Sequence, residues 1–581
     1  TPRAEVKAPV QAYPGNPVRI METITAKSMT EPQPGVHVYE MGQNMVGWPR
    51  ITVAGKAGDT VTVRHAERLQ DDGMLYTVAL RSARATDQYT LAADGPVTLE
   101  PAFTFHGFQY VEITGVAAPP APEQVVGVVI HNDIPRAAVF EASDPLLTKL
   151  ASNIVWGQKG NYLEAPTDCP QRDERLGWTG DAQFFMPTAL YTADIGAFHT
   201  KWLVDLVQDS QHGDGSFAHV SPDVGIGAGA VAWGDAALIC PYLMHRFYGD
   251  TRVIERHFDN MVKGMDFLTR TSADHIRKDL GFGDWLNLGG GAKDEVICTA
   301  YYAYLARIMS EMAGVIGRNE DAARYAELYG SIRDAFIKAF VSDDGAILES
   351  SQTGYALAFA FDLLPEEKRA GAAKHFEAEV ARFDNHLATG FIGTPRLLPA
   401  LVAAGKEDIA YRLLMNKTYP SWLYQVTLGA TTMWERWNGW TPEQGFADPG
   451  MNSFNHYAFG AVGEFLYSHV AGIAPLQTAF RTVQVRPRPG GGLTSARLAH
   501  RCIRGEIVSD WKLDGGKMRL TVVIPQNTDA VICLPTAAPE AVTEGGQPAA
   551  AVFGKNIRAE NGETVIRCGG GSYAFELPYA G

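Results

Sequence analysis

The hydrophobic period of this 581-residue chain changes twice, and that double change sets its architecture. Up to about residue 140, apolar and polar residues alternate, as in Val36-His37-Val38-Tyr39, Thr60-Val61-Thr62-Val63 and Tyr110-Val111-Glu112-Ile113. Gly-rich turns such as Ala57-Gly58-Asp59 separate these runs, and a last one spans Val125 to Ile130. Side chains of a strand point alternately to its two faces, so a period of two reads as half-buried strands. Near residue 143 the pattern becomes helical. Ser143-Asp144-Pro145 joins an N-cap residue to a proline in the first turn. Helical spacing then holds to about residue 472, over 184–191, 230–248, 253–269, 295–313, 321–340, 365–381, 406–415 and 455–470. From about residue 482 the period of two returns, in 483–485, 518–524, 530–534 and 573–577. The expected fold is an N-terminal β-sandwich (1–140), an (α/α)6 toroid of paired helices (141–480) and a C-terminal β-sandwich (481–581). A toroid of this kind opens a funnel at the ends of its inner helices.

Composition narrows the functions such a chain can serve. Asp and Glu outnumber Lys and Arg by 65 to 50, a net charge of -15. A nucleic-acid binder needs a basic surface to neutralise phosphates, and an anionic membrane attracts basic segments, so neither partner is expected. No apolar run approaches the roughly 20 residues that span a bilayer. The six cysteines (Cys169, Cys240, Cys298, Cys502, Cys533, Cys568) form no CxxC pair. Neither a zinc site built on cysteine nor a disulfide framework is expected, and buried free thiols are the default, with a pairing among the last three left open. Periplasm, secretion and cytoplasm all fit, and the oligomeric state is open. The chain begins Thr1-Pro2-Arg3, without Met, and is expected to be a processed or truncated product.

Chemistry-bearing residues concentrate in two stretches. The first is Asp168-Cys169-Pro170-Gln171-Arg172-Asp173-Glu174-Arg175-Leu176-Gly177-Trp178-Thr179-Gly180-Asp181. Dense charge usually marks a solvated helix face, but Pro170, Gly177 and Gly180 break any regular helix and the flanks are apolar. The second is Trp434-Glu435-Arg436-Trp437-Asn438-Gly439-Trp440, one carboxylate among three indoles, for which a surface Glu–Arg pair is the bland alternative. Smaller pieces are Gly283-Asp284-Trp285, Trp233-Gly234-Asp235 and Ser453-Phe454-Asn455-His456-Tyr457, where His456 is either a structural histidine or a site residue. Nine of the eleven tryptophans lie between residues 140 and 480. Flat apolar rings beside carboxylates suit a sugar, which has C–H groups on its face and hydroxyls at its rim. Glycoside hydrolysis needs two carboxyl groups flanking the scissile bond, one to protonate the leaving oxygen and one to activate water or attack the sugar. Only a closed ring of helices brings the 174 and 435 regions together.

The 168–181 stretch resembles the signature of the bacterial α-L-rhamnosidases of glycoside hydrolase family 78. Similar to that family, in the expected order, are Tyr39-Glu40-Met41-Gly42-Gln43-Asn44-Met45-Val46-Gly47-Trp48, Gly283-Asp284-Trp285-Leu286, Thr432-Met433-Trp434-Glu435-Arg436-Trp437 and Ser453-Phe454-Asn455-His456-Tyr457. The resemblance implies an inverting mechanism with no cofactor and no metal in the chemical step. It implies Glu174 as general acid and Glu435 as general base, with Asp168, Arg172 and Asp181 on the rhamnose hydroxyls. Trp178, Trp233, Trp285 and His456 would line the sugar pocket, and Asp284, Trp434 and Trp437 are counted with the substrate-binding set. Asp173 is left out as structural. Terminal rhamnose on a small glycoside or a polysaccharide is the substrate class implied. Another (α/α)6 glycosidase, of trehalase or glucoamylase type, and a non-catalytic rhamnose-binding protein are the alternatives. Relatives usually carry further upstream sandwich domains, so the late start implies a compact member or a removed N-terminal part.

Overall fold

The computed structural model describes residues 12–278, 281–289, 291–349 and 351–579; Thr1-Pro2-Arg3 and the outer ends of the two expected sandwiches lie outside them. The N-terminal strands are β1 (Val18–Thr25), β2 (Ser28–Gln33), β3 (Val36–Gly55), β4 (Thr60–Ala66), β5 (Thr86–Thr90), β6 (Gly95–Leu99), β7 (His106–Thr114), β8 (Val125–Asn132) and β9 (Ala138–Ala142). The first eight form one antiparallel sheet in the order β1-β8-β3-β7-β4-β5, with β2 and β6 also paired to β3. The long β3 serves four neighbours because its register against β7 breaks between Glu40 and Met45. A bulge of this kind bends a strand and re-aims its side chains. Here it turns Gly42-Gln43-Asn44 towards the helices. Gln43 Nε2 donates to the Thr431 carbonyl (2.8 Å) and the Asn44 N–H to Thr431 Oγ1 (2.9 Å). Tyr39, Met45, Val61, Phe108 and Val111 fill a core separate from that of the helices.

β9 departs from the boundary read at residue 140. It pairs antiparallel with Ser495–Cys502, Ala142 opposite Ala496 and Phe140 opposite Leu498, at one edge of a seven-stranded C-terminal sheet. The C-terminal region therefore borrows a strand from before the helices. A second, five-stranded sheet completes it. Trp511, Leu520 and Ile532 of these sheets share one continuous core with Trp202 and Trp422 of the helices. Trp511 Nε1 donates to the Val470 carbonyl at 2.8 Å, which ties the two regions.

The helices are α1 (Pro145–Asn161), α2 (Thr179–Thr192), α3 (Gly196–Val204), α4 (Ala236–Tyr248), α5 (Arg252–Thr271), α6 (Asp294–Val315), α7 (Asn319–Phe340), α8 (Gln352–Ala360), α9 (Glu366–Arg382), α10 (Thr394–Ala403), α11 (Glu407–Leu414) and α12 (Trp422–Thr427). α1 starts as its sequence predicts: Asp144 Oδ1 accepts from the Leu146 N–H (2.8 Å) and Pro145 occupies the first turn. Two expectations fail locally. The 230–248 helix begins only at Ala236, because Asp235 folds back to accept from the Ala232 N–H (2.7 Å) and pairs with Arg277 (3.2 Å). The 455–470 helix is broken into a 3-10 turn (Tyr457–Val462), a short helix (Gly463–Phe465) and a π turn (Leu466–Val470). Thr188 of α2 causes the break: its hydroxyl donates to the Ala461 carbonyl (3.0 Å) and accepts from the Glu464 N–H (2.9 Å). A Cβ on Gly463 would lie 2.6 Å from the Thr188 methyl, so only glycine fits there. None of the six cysteines is joined in a disulfide among the described residues, and four of them are buried. Among the described residues no helix is long and apolar enough to cross a membrane.

Candidate active site

The irregular 168–178 loop and the N-terminus of α2 deliver Asp168, Arg172, Glu174, Trp178 and Asp181 to one cavity of 170 Å³. Trp233, Trp285, Glu435 and His456 line the same cavity, so the two distant motifs meet. Gly180 makes room for the aromatic wall: a Cβ there would lie 2.5 Å from the Trp233 ring. Phe282, Phe391 and Met451 also line it. Phe282 meets Trp233 and Trp178 edge-on, with centroids 4.8 and 5.5 Å away.

A single guanidinium organises the acids. The Arg172 side chain is fully buried and reaches Glu435 through Nη1–Oε2 (2.8 Å) and Nη2–Oε1 (3.3 Å). The same group donates to Glu174 Oε2, at 2.9 Å from Nη2 and 3.1 Å from Nε, and lies 3.6 Å from Asp168 Oδ2. A rigid planar fork of five donors can hold several carboxylates at fixed spacing, as a lysine point charge cannot.

The acids differ in environment. Glu435 is buried, its backbone pairs with that of Ser453, and its Oε2 also accepts from the Ser453 N–H at 2.7 Å. Burial alone would raise its pKa. The His456 and Arg172 charges, with the hydrogen bonds from Arg172 and Ser453, overcome that and hold it below the usual carboxylate range. Glu174 is more open: Oε1 accepts from Trp178 Nε1 (2.8 Å), and its side chain keeps 12% exposure against 1% for Glu435. Burial, reinforced by Glu174, pushes Asp168 up to about 7. Its Oδ1 accepts from the Leu176 N–H (2.9 Å), whereas the buried Oδ2 has no hydrogen-bond partner among the described residues. His456 Nε2 sits 2.8 Å from Asp181 Oδ1. Burial would lower its pKa, but Glu435, Asp181 and Asp168 raise it to about 9, so it is an imidazolium at neutral pH. Its buried Nδ1 is also unpartnered among the described residues. A donor and an acceptor left bare inside a cavity are what a polyol ligand satisfies.

Three residues read as substrate-binding lie outside this lining. Asp284 is buried and fully engaged by protein: it accepts from the Gly390 (2.8 Å), Ile392 (2.9 Å) and Gly393 (3.0 Å) N–H groups and from the Thr353 hydroxyl. It clamps the loop that presents Phe391. Trp434 packs on Phe454 beneath the Arg68 guanidinium, and Trp437 stacks on Phe459 and donates to the Thr389 carbonyl (2.9 Å). Both indoles stand behind Glu435 as packing.

The sequence reading also missed two residues of the N-terminal sheet region. Arg81 crosses to the 168–178 loop, donating through Nη1 to Glu174 Oε2 (3.0 Å) and through Nε to Asp173 Oδ1 (2.6 Å). Glu67 is buried against the second motif, accepting from the Phe454 N–H and from Asn44 Nδ2, both at 2.9 Å. Burial raises its pKa to about 7.

Comparison with known proteins gives the family. Residues 135–470, more than half of the chain, match the bacterial alpha-L-rhamnosidase 6 hairpin glycosidase domain. The chain belongs to this rhamnosidase family. The family's concanavalin-like domain matches residues 30–131 and its C-terminal domain residues 472–548. An alpha-L-rhamnosidase of Streptomyces avermitilis is 46% identical over 99% of this chain and 55% of its own length. One from Formosa agariphila is 41% identical over 94% of this chain and 60% of its own. The crystal structure of the Streptomyces avermitilis rhamnosidase complexed with L-rhamnose superposes with a TM-score of 0.94, covering 97% of this chain and 54% of that one. The Dictyoglumus thermophilum rhamnosidase is 34% identical with a TM-score of 0.92, covering 97% and 64%. The chain thus spans about half the length of the curated relatives it matches.

Proposed function

We propose that this protein is an inverting α-L-rhamnosidase that releases terminal non-reducing rhamnose from glycosides or polysaccharides. The observation that carries this reading is the Arg172 guanidinium joining Glu174, Glu435 and Asp168 in an aromatic-walled cavity. The match to a rhamnosidase complexed with L-rhamnose supports the choice of sugar. Glu435, held ionised, takes a proton from water as its oxygen attacks the anomeric carbon from the far side. The glycosidic C–O bond breaks, and the leaving oxygen takes the proton of Glu174, which sits at the more open end of the cavity. Asp168 Oδ2 and His456 Nδ1 meet the sugar hydroxyls, while Trp178, Trp233 and Trp285 cover its apolar face. In the same reading the helices form an (α/α)6 toroid over about 141–480, between β-sandwiches at about 1–140 and 481–581, with β9 lent to the second.

Hydrolysis of 4-nitrophenyl α-L-rhamnoside tests the proposal, with the α-glucoside as control. Glu174→Gln and Glu435→Gln should each lose at least a hundredfold in kcat, the lower end of what general acid–base catalysis contributes (~10²–10⁴), while rhamnose still binds. Unchanged turnover in both variants, or no hydrolysis by the wild type, would overturn it. NMR should show β-L-rhamnose as the first product; the α-anomer first would replace inversion with retention.

A further inference from the structure

The N-terminal sheet holds a second cluster of ligating side chains, which the hydrolytic reading does not use. Three neighbouring strands each contribute one: His65 from β4, Asp87 from β5 and His106 from β7. The two imidazoles stack at 4.0 Å between centroids, and both Nε2 atoms face one carboxylate oxygen. Asp87 Oδ2 lies 3.1 Å from His106 Nε2 and 3.9 Å from His65 Nε2. One donor atom from each residue falls within 4.8 Å of the others.

From this geometry we propose that His65, Asp87 and His106 bind one divalent ion of the zinc class. Tetrahedral bonds of about 2.1 Å put neighbouring ligand atoms roughly 3.4 Å apart, so closing the site takes shifts of up to roughly 1.4 Å in ligand spacing and a turn of the stacked rings that makes both Nε2 lone pairs converge. His65 supplies the independent observation. Its side chain is 0% exposed, and its Nε2 has no hydrogen-bond partner among the described residues. Its Nδ1 lies 2.9 Å from the Ala85 carbonyl, which fixes the proton there and aims the Nε2 lone pair at the cluster. Metal-ligating histidines are oriented in this way, by a carbonyl on the other ring nitrogen. Two imidazoles and one carboxylate favour zinc over calcium or magnesium, which take oxygen donors. The 11% and 14% exposure of His106 and Asp87 leaves water access for the fourth position.

The proposed ion has a structural place rather than a catalytic one. Ala85 closes the connection between β4 and β5, which carries Glu67 and Arg81. An ion held by His65 and Asp87 ties both ends of that connection together. It thereby steadies the segment that reaches Glu174.

The test is metal retention, read independently of hydrolysis. The purified chain is stripped with chelator, given Zn²⁺ or Co²⁺ in calcium-containing buffer, passed through gel filtration and analysed for metal. One equivalent should be retained, Co²⁺ should give visible d–d absorption, and melting should rise on metal addition. Asp87→Asn and His106→Gln should each weaken binding more than the 10–100-fold that loss of an outer-shell partner costs. No retention by the wild type would overturn the proposal. So would full retention by both variants, which would place the ion elsewhere, for example at Asp168, Cys169 and Glu174.

Discussion

Arg81 shows how one residue outside the helical region can govern the site. It holds Glu174 and Asp173 across the boundary between regions while keeping 30% side-chain exposure. Removing it strands no fully buried charge, so Arg81→Ala should melt close to the wild type. Arg172 and Trp178 still hold Glu174, so loss of Arg81 lets the carboxylate shift rather than leave, and misplacement by about 1 Å costs up to roughly a hundredfold. The expected result is a 10–100-fold lower kcat on 4-nitrophenyl α-L-rhamnoside with an unchanged thermal midpoint. The ionisable residues also set a pH dependence of stability. His456, raised from 6.5 to about 9, stabilises the fold fully below its unfolded value, and that contribution is lost as pH rises through 9. Asp168 and Glu67, raised to about 7, are protonated in the fold where the unfolded chain is ionised, so stability also falls as pH rises from about 4 to 7. Glu435 acts oppositely, its contribution being lost only as pH falls below the ordinary carboxylate range. The buried His199, His257 and His500, lowered to about 3, 4 and 4, act in the opposite sense up to about pH 6.5, so the test is differential: relative to the wild type, Asp168→Asn should lose less urea midpoint as pH rises from 4 to 7. The 168–181 and 434–440 stretches were legible because Pro and Gly, or clustered indoles, set carboxylates in non-helical context, whereas the choice of Glu174 among its neighbours came only from the resemblance to the family. Arg81 and Glu67 were not, because each is an ordinary charged residue beside a strand and only the docking of the sheet gives it a partner.

At the scale of elements, the sequence read Asp284 and Trp285 of one loop as sugar contacts; Trp285 lines the cavity, whereas Asp284 clamps backbone N–H groups outside it. The pattern is the same whether the carboxylate meets hydroxyls or backbone N–H groups. Asp284→Ala would leave three backbone donors in the Gly390–Gly393 loop without their acceptor. At about 1–3 kcal/mol for each buried unpaired donor, a loss of several kcal/mol is expected. A denaturant midpoint equal to the wild type would show that water or another group replaces the clamp. Rhamnose affinity should fall as well, since Phe391 rides on the same loop. Helix existence was legible from periodicity, as the capped start of α1 shows. The fragmentation of 455–470 was not, because Thr188 lies more than 260 positions upstream and acts through space. The strand character of 138–142 is equally mute about its partner, since a short run of Ala, Val and Phe fits the edge of either sheet.

For the whole molecule, two cores predict two different truncations. The N-terminal sheet has its own core, while the helices and the C-terminal sheets share one. A chain of residues 133–581 should keep the helical circular dichroism of the parent yet lose hydrolysis, because Arg81 and Glu67 go with the sheet. A chain of residues 1–480 should be insoluble, because it exposes the helical side of the shared core and leaves β9 without a partner. Soluble, cooperatively melting 1–480 would refute the shared core.

That borrowed strand bears on how genes of this family can be recombined. A module passes intact between lineages only if one contiguous piece of coding sequence contains it. Here the C-terminal sheet is closed by β9, and Thr494 still bonds to Ser143 across 351 positions. A crossover near residue 480 would join one parent's edge strand to another parent's sheet. On this geometry a swap that keeps the fold must move helical region and tail together, and the N-terminal sheet is the separable piece, carrying the Arg81 and Glu67 contacts with it.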